Sequence, residues 1–405
     1  MITTAVIFAD AQLGDAETPP LYALHRLGGL TLLERAIRTA EQAGARICYV
    51  VGIPQVPKIS WPARSTPGCR VVFLKDSDSR SSLVPREGVV LAFSVDVIFS
   101  AALAKTLDKW LTRTGAPSVH IPDVPLAVVH SSLLTTGAWD GWRAPQQDSG
   151  SLAFAPEGYF VRQLEPTISL AVVEKELLAA LANPQDGFLD RHLNRPLSRR
   201  LTRLLALLPL SANLITVLSL TVGLAAALCF AAGDYRRSVI GALLLQVSAV
   251  LDCCDGELAR LRFEESALGH WLDIIGDTLV HLAVFVGIAW GVAASEHGRL
   301  PLVVGAVLVA GVLPSLALVT YAESADVVRK ASRLWEGKAV ARMLAILTGR
   351  DFSVLILFFA LLGALRWFLW GAALGVHVFW LTLLWLLWQI REKLWDIDGP
   401  VEEER

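Results

Sequence analysis

The stretch that decides the fold of the second half of the chain is VLDCCDGELARLRFEESALGHWLDIIGDTLVH, residues 250–281. It is apolar enough for membrane helices, yet it carries four aspartates at helical spacing. Asp252 and Asp255 are three residues apart, so they share one face of a helix. Asp273 and Asp277 are four apart and also share a face. The spacing predicts two neighbouring helices that each turn two carboxylates toward one site.

Buried acids restrict the chemistry of such a site. Each carboxylate in an apolar helix costs roughly 2.5–3.5 kcal/mol on insertion scales, and four ionised groups would also repel one another. We expect one or two divalent cations to offset both effects. Oxygen ligands suit magnesium, manganese or calcium better than zinc. A two-metal cage fits phosphoryl chemistry, because the ions neutralise a pyrophosphate and the charge on its leaving oxygen.

The residues between the aspartates fit a phosphate ligand. Gly256 and Gly269 lack side chains, so a ligand or a neighbouring helix can approach their backbone closely. Arg260 offers a fork of donors to a phosphate or a carboxylate. The alternative is that the aspartates merely pair with arginines.

The complete pattern resembles the signature of the CDP-alcohol phosphotransferase family. It reads D-x-x-D-G-x-x-A-R, eight residues, then G-x-x-x-D-x-x-x-D, with every fixed position present. The resemblance extends over the membrane half of the chain. It implies that a hydroxyl attacks the pyrophosphate of a CDP-linked alcohol and that CMP is released. It also implies Mg²⁺ or Mn²⁺ as cofactor, in a two-metal site.

The resemblance assigns roles residue by residue. Asp277 is expected to act as the base for the acceptor hydroxyl, beside the catalytic metal ligand Asp273. Asn213, in SANLIT, matches an asparagine that often opens the first span, although Ala212 replaces the usual proline. The expected metal ligands are Asp252, Asp255, Asp273 and Asp277, and the expected CDP-site residues are Gly256, Ala259, Arg260, Gly269 and Asn213.

Residues 209–395 are predicted to form a six-span, all-helical domain, since a span needs about 20 apolar residues. Loop and tail arginines and lysines predict that both chain ends and the active site are cytoplasmic, in the inner membrane. The polar tail is 396–405. The predicted spans are 209–232, 237–258, 266–292, 300–321, 352–370 and 373–393.

Residues 186–208 are predicted to form an amphipathic helix on the membrane surface. Leucines recur there at helical spacing, and Pro196 is expected to kink or restart the helix. We expect the leucines to enter the acyl boundary and the arginines to meet anionic head groups; a solvated linker helix is the alternative. The expected outward arginines are Arg191, Arg195, Arg199, Arg200 and Arg203.

Residues 1–185 alternate strand and helix patterns, which predicts an α/β domain with a mainly parallel sheet. Helices are predicted at 30–44 and 100–111. Strands are predicted at 3–9, 45–52, 69–74 and 88–99.

This first domain resembles sugar-phosphate nucleotidyltransferases. Asp96 matches their metal-binding aspartate, and the domain order resembles fused inositol-1-phosphate cytidylyltransferase and di-inositol-phosphate-phosphate synthase proteins. The glycine-rich loop is missing, because only Gly14 remains, beside Asp10, Asp15 and Glu17. A triphosphate needs N–H donors and cations there. We therefore expect a degenerate domain; the alternative is a bifunctional enzyme that still makes the CDP-alcohol.

Other readings of the whole chain were weighed. A cation transporter would place acids along a pathway rather than in one cluster, and a plain membrane anchor would need none. A net charge of −2 gives no sign of a nucleic-acid partner. The family resemblance implies as partners the CDP-alcohol, the acceptor alcohol, membrane lipid and a second copy in a homodimer packed through the later spans. His270 and His281 are expected to be packing or supporting residues. Arg350 and Asp351 are expected to contact the acceptor or to form a helix-start ion pair.

Overall fold

The computed structural model describes residues 1–9, 22–52, 68–74, 88–131, 151–165, 167–181, 190–324, 339–340 and 351–398. The chain divides into two compact units. The first comprises residues 1–181 with 206–208 and 260–264, and the second comprises 182–205, 209–259 and 265–405.

The first unit contains the predicted α/β sheet. Its main sheet has seven strands among the described residues, six of which run in one direction. The strands are β1 (Ile2–Phe8), β2 (Arg26–Leu27), β3 (Leu30–Thr31), β4 (Ile47–Val51), β5 (Arg70–Leu74), β6 (Val89–Ser94), β7 (Val97–Phe99), β8 (Ser118–His120), β9 (Leu126–His130), β10 (Leu152–Ala153) and β11 (Val161–Gln163).

The order of the main sheet is β10-β8-β9-β6-β1-β4-β5, with β9 antiparallel to both neighbours. Strands β1, β4, β5 and β6 are mutually parallel. Most apolar side chains of β1, β4 and β6 are buried, whereas those of the edge strand β5 are mainly half-buried. Near-continuous apolar runs of this kind are typical of parallel strands that are covered on both faces. The predicted mainly parallel sheet is therefore confirmed.

The described part of this unit contains three α-helices: α1 (Leu32–Ala43), α2 (Ala101–Thr114) and α3 (Leu170–Ala180). Helix α1 begins at a capping box, in which Thr31 and Glu34 satisfy each other's backbone N–H groups. It ends where Gly44 adopts a left-handed conformation with φ of 118°. The sequence pattern predicted α1 and α2, whereas α3 and strands β8 to β11 were not predicted.

The strand predicted over 88–99 is two strands. It breaks after Ser94. The Val95 N–H still donates to the Phe8 carbonyl of β1, whereas the Asp96 carbonyl accepts from the Leu164 N–H, next to β11. Strand β7 then leaves the main sheet and pairs antiparallel with β11. Apolar residues continue through the turn, so the sequence pattern did not reveal the break.

The second unit is helical. Five of its described helices are long and apolar enough to cross a membrane, which makes the chain an integral membrane protein. The helices are α4 (Arg195–Leu205), α5 (Ala212–Ala231), α6 (Tyr235–Arg262), α7 (Ala267–Glu296), α8 (Leu300–Ser324), α9 (Asp351–Leu361) and α10 (Leu365–Asp398).

The boundary predicted between the last two spans is wrong. The prediction separated them at 370–373, but the break lies at 362–364, and Gly371 is inside α10. Gly363 adopts a left-handed conformation with φ of 64°, which ends a helix without a Cβ clash. The hydroxyl of Tyr235 donates to the Leu361 carbonyl and satisfies that helix end.

Helices α5 and α7 approach each other through small residues. A Cβ on Gly287 would overlap the carbonyl of Ala227, and one on Gly291 would overlap the carbonyl of Phe230. Small residues at such contacts let helix backbones pack closely in a membrane. This contact fixes α7, which carries Asp273 and Asp277, against α5.

We expect Gly291→Ala and Gly287→Ala to destabilise the protein by about 1–3 kcal/mol each, since the added methyl has no space. Thermal unfolding of the detergent-solubilised chain measures this. Gly371→Ala is the matched control, because a Cβ there meets nothing within 4 Å. Equal destabilisation by the control would contradict the close-packing explanation.

Candidate active site in the membrane unit

The carboxylates of α6 and α7 meet. Oxygen atoms of Asp252, Asp255 and Asp273 all lie within 4.8 Å of one another. Asp252 and Asp255 are buried, at 7% and 6% exposure, and Asp273 is half-buried. Two helices thus bring together side chains that are 18 to 21 residues apart in sequence, as the spacing predicted.

Asp277 lies one turn further along α7 than Asp273. It is outside the three-oxygen cluster, and it lines the adjoining cavity together with Asp252 and Asp273. The four acids therefore share one site, but three of them are arranged to hold a cation and the fourth faces the space beside it.

The cavity encloses about 30 Å³, which is enough for a water molecule. The wall of the cavity is also rich in hydroxyl groups. These come from α5, α6 and α9, and His281 of α7 joins them. The polar residues of this wall are Thr216, Ser219, Ser248, His281 and Ser353.

The donor set fits a divalent cation. Thr216 is a hydrogen-bond partner of the Asp255 carboxylate. The other oxygen of that group, Oδ2, is buried and has no hydrogen-bond partner within the described part of the chain. A buried, unsatisfied carboxylate oxygen is costly. Three converging carboxylates are the ligand type that Mg²⁺, Mn²⁺ and Ca²⁺ prefer, so these residues would hold such an ion.

The remaining signature residues follow one stripe of α6. Gly256, Ala259 and Arg260 continue the three-and-four spacing that Asp252 and Asp255 begin, so all five share a helix face. All three are half-buried. The buried Nε of Arg260 has no hydrogen-bond partner among the described residues. This leaves an N–H donor on that face that a ligand can use.

Asn213 and Gly269 lie side by side at the starts of α5 and α7. A Cβ on Gly269 would be only 3.0 Å from Oδ1 of Asn213. Ser266 caps α7 by accepting from the Gly269 N–H. The two residues predicted for the CDP site from separate motifs are therefore neighbours.

The two histidines differ in position. His270 is exposed, whereas His281 lines the cavity and meets the ring of Phe352 edge-on, with ring centroids 4.5 Å apart. Arg350 and the side chain of Asp351 lie outside the described residues, so their predicted acceptor contact stays a prediction.

A buried ion pair beside the site was not predicted. Glu257 is completely buried on α6, two residues and therefore about 200° around the helix from Asp255. Its Oε1 accepts from Nη1 of Arg195 at 3.0 Å and from the Ser198 hydroxyl at 2.8 Å. Its Oε2 accepts from the Thr202 hydroxyl at 2.8 Å. In the sequence, the only sign of this pair was an acidic residue, Glu257, directly after Gly256 within an apolar helix.

Helix α4 turns the hydroxyl groups of Ser198 and Thr202 toward α6, where both residues are buried. On its other side, Leu197 and Leu204 are 45% and 63% exposed. The helix starts at Arg195, just before Pro196, as expected for a restart. The prediction that Arg195 points to head groups is wrong, because Glu257 binds it in the interior.

We expect Glu257→Gln to destabilise the protein by about 3–5 kcal/mol, because the isosteric change leaves the Arg195 charge buried without compensation. Thermal unfolding measures the loss, and adding Arg195→Met should restore part of it. Exposed Glu265→Gln is the control. A Glu257→Gln protein as stable as this control would show that the pair does not hold α4 to α6.

In the first unit, the predicted metal aspartate is buried at the β6–β7 turn. Asp96 is 7% exposed, and its Oδ2 accepts from the side-chain amide of Gln163 at 3.1 Å. Its Oδ1 has no hydrogen-bond partner among the described residues. Asp10, Gly14, Asp15 and Glu17 lie outside the described residues.

The fold and the site define an integral membrane protein with a cluster of carboxylates between two adjacent helices. A family model described as CDP-alcohol phosphatidyltransferase matches residues 209–388. This stretch carries every residue of the signature and is similar to the CDP-alcohol phosphatidyltransferase family. Members of that family generally use divalent metals and join a CDP-alcohol to an alcohol acceptor.

Curated relatives match shorter parts of the chain. A "Bifunctional IPC transferase and DIPP synthase" of Aquifex aeolicus is 32% identical over 133 residues, 33% of this chain and 30% of the relative. A protein of the same name from Rubrobacter xylanophilus is 34% identical over 142 residues, 35% of this chain and 32% of the relative. An "Archaetidylinositol phosphate synthase" of Methanothermobacter thermautotrophicus is 36% identical over 98 residues, 24% and 49% respectively. The chain thus spans about a third of the length of the bifunctional relatives it matches.

Proposed function

We propose that the membrane domain transfers a phospho-alcohol from a CDP-alcohol to the hydroxyl of an acceptor alcohol and releases CMP. The observation that carries this proposal is the meeting of Asp252, Asp255 and Asp273, with oxygens within 4.8 Å, on the signature spacing of the family. Such a cluster beside a polar cavity suits a pyrophosphate better than a transport pathway, which would spread acids across the bilayer.

The reaction uses this chain's residues as follows. Asp277 takes the proton of the acceptor hydroxyl, whose oxygen forms a bond to the donor's alcohol-linked phosphorus. The bond from that phosphorus to the bridging oxygen of the pyrophosphate breaks, and CMP leaves. Arg260, Asn213, Gly256, Ala259 and Gly269 bind the CDP moiety.

The proposed cofactor is Mg²⁺ or Mn²⁺ in a two-metal site held by Asp252, Asp255, Asp273 and Asp277. When bound, the ions neutralise the charge on the pyrophosphate and on the leaving phosphate oxygen. The hard-oxygen donor set and the unsatisfied Oδ2 of Asp255 support this choice.

The names of the relatives favour substrates of the inositol phosphate type. Two are named for IPC transferase and DIPP synthase, and a third for archaetidylinositol phosphate synthesis. The second substrate class is a lipid acceptor or a CDP-diacylglycerol donor. Assays with a panel of donors and acceptors distinguish it from the inositol phosphate class.

We expect Asp277→Asn to lower CMP release by at least ~100-fold, the usual scale for loss of a general base. Removal of divalent metal by EDTA should abolish release, and Mg²⁺ or Mn²⁺ should restore it. The assay gives the purified full-length chain a panel of CDP-alcohols and acceptors, with exposed Glu265→Gln as the control. If the protein with all four aspartates substituted released CMP as fast as the wild type, the result would falsify the proposal.

The first unit is a degenerate nucleotidyltransferase-like domain that no longer makes the CDP-alcohol. Acids at 10, 15 and 17 stand where a triphosphate needs donors and cations, and Asp96 is bound by an amide. Its remaining role is regulation, substrate capture or scaffolding.

We expect no pyrophosphate when full-length protein is given CTP, inositol 1-phosphate and Mg²⁺. The assay is repeated with the Asp277→Asn variant. This variant would not consume CDP-inositol, so the nucleotide product could also be detected directly. Pyrophosphate production would instead establish a bifunctional enzyme.

The proposed topology has six spans, with both chain ends and the active site on the cytoplasmic side of the inner membrane. Arg260 and Arg262 end α6, and Arg391 is exposed near the end of α10, which supports this orientation under the positive-inside rule. The later spans are the proposed contact of a homodimer. Helix α4 is the proposed membrane-surface helix.

A further inference from the structure

A second cavity lies between the membrane helices, at the opposite end of the helix bundle from the carboxylates. It is found where α5, α7 and α9 end and where α6 and α10 begin. Ser238, which lines it, is 14 residues and therefore about 21 Å along α6 from Asp252. The helix connections at this end, 232–234, 297–299 and 362–364, all belong to the described residues. This cavity is therefore separate from the candidate active site.

The size and the lining of this cavity suit an amphipathic ligand. It encloses about 280 Å³, against about 30 Å³ for the space beside the carboxylates. This volume is close to the lower end of the range of about 300–1,000 Å³ that is usual for ligand pockets. Apolar side chains, among them Phe230, Ile288 and Leu365, form part of the wall, and Glu296 and Arg366 add charges of both signs.

Hydrogen bonds join the walls of the cavity to one another. The Tyr235 hydroxyl donates to the Leu361 carbonyl at 3.0 Å, which joins the start of α6 to the end of α9. The Ser295 hydroxyl is within hydrogen-bond distance of the Gly233 carbonyl, which joins α7 to the turn before α6. The cavity is thus formed by the packing of the helices, and a ligand would meet it already open.

Two opposite charges lie side by side at the cavity. Nη1 of Arg366 and Oε1 of Glu296 are 3.4 Å apart, and the two side chains are 54% and 36% exposed. An ion pair as exposed as this contributes little to stability. A guanidinium carries five N–H donors and a carboxylate has two oxygens, so both groups keep hydrogen-bonding capacity for a ligand that carries a negative and a positive charge.

Exposed aromatic residues mark this end of the bundle as a membrane surface. Trp290 on α7 and Trp367 on α10 are 60% and 66% exposed, and Tyr235 is exposed as well. The guanidinium of Arg366 lies 5.5 Å from the ring centroid of Trp367. Tryptophan and tyrosine are enriched at the level of lipid head groups. A lipid in the adjoining leaflet can therefore reach both the apolar wall and the two charges.

We propose that this cavity binds the head group of a zwitterionic phospholipid whose cation is a primary ammonium, as in phosphatidylethanolamine. The phosphate accepts hydrogen bonds from Arg366, the ammonium donates to Glu296, and the glycerol end of the lipid contacts the apolar wall. The site lies outside the proposed transfer site, so the inference does not depend on the transfer reaction.

The charge pair distinguishes this head group from two others. A phosphatidylglycerol head group has a phosphate but no cation, so its negative charge would face Glu296 without compensation. A phosphatidylcholine head group carries its positive charge on a quaternary nitrogen, which has no N–H group to donate to the Glu296 carboxylate. Only the primary ammonium supplies both the charge and the donors that this carboxylate accepts.

Native mass spectrometry of the full-length protein tests the head-group preference. The protein is released from detergent micelles that contain equal amounts of dioleoyl phosphatidylethanolamine, phosphatidylcholine and phosphatidylglycerol. We expect phosphatidylethanolamine to be retained with about tenfold higher affinity than the other two lipids, the scale of one hydrogen bond between charged groups. Equal retention of the three lipids, or a preference for phosphatidylglycerol or phosphatidylcholine, would overturn the inference.

Two variants separate the phosphate from the ammonium. Arg366→Gln should weaken the binding of all three lipids about tenfold, because all of them carry a phosphate. Glu296→Gln should lower the affinity for phosphatidylethanolamine alone and so remove the preference over phosphatidylglycerol. Arg237→Gln is the matched control, since Arg237 is 66% exposed at the same end of α6, pairs with Asp234 at 3.3 Å and does not line the cavity. The control should retain lipids as the wild type does.

The variants also test the other possible roles of the cavity. If Arg366→Gln changed the ratio of monomer to dimer in lipid-free detergent, the cavity would belong to an interface between copies of the chain. If both variants kept the wild-type lipid preference, Arg366 and Glu296 would form a surface ion pair without a ligand. Either result overturns the lipid site. Both side chains are exposed, so the variants should fold, and thermal unfolding without added lipid verifies this.

Discussion

The main constraint on the membrane unit is the free-energy cost of placing carboxylates among apolar helices. Asp252, Asp255 and Asp273 sit where ionised groups are expensive, yet their oxygens converge within 4.8 Å. A cation bound between them would offset that cost, because it would neutralise the converging charges. The rest of the membrane unit serves to hold α6 and α7 in register, through glycine contacts on one side and a buried ion pair on the other.

The two supports act on different helices. At Gly287 and Gly291, α7 packs directly against the backbone of α5. Rotation of α7 about its axis would bring larger side chains into this contact. On the face of α6 away from the aspartates, the Glu257 carboxylate accepts hydrogen bonds from Arg195, Ser198 and Thr202 of α4. Glu257 is adjacent to the signature residue Gly256, so these bonds hold α4 against the part of α6 that carries the signature. Leu197 and Leu204 of α4 are exposed on the other side.

The sequence predicted what local periodicity and motif spacing determine. Helix α1 with its ending at Gly44, the parallel strands, and the meeting of α6 and α7 all follow from such patterns. Tertiary pairing decided the rest. Arg195 resembled its exposed neighbours in sequence, and only a partner 62 residues away turned it inward. The breaks at Asp96 and Gly363 fall within apolar runs, where hydropathy does not change.

The length of α6 can be compared with the thickness of a membrane. Its 28 residues span about 42 Å, against a hydrocarbon thickness of about 30 Å. Asp255 lies seven residues, or about 10 Å, before the end at Arg262. If the excess of about 12 Å emerges at that end, the acids stand at the boundary between acyl chains and head groups. Under the proposed reaction, a water-soluble substrate and an amphiphilic one would then meet at one level, without either crossing the bilayer.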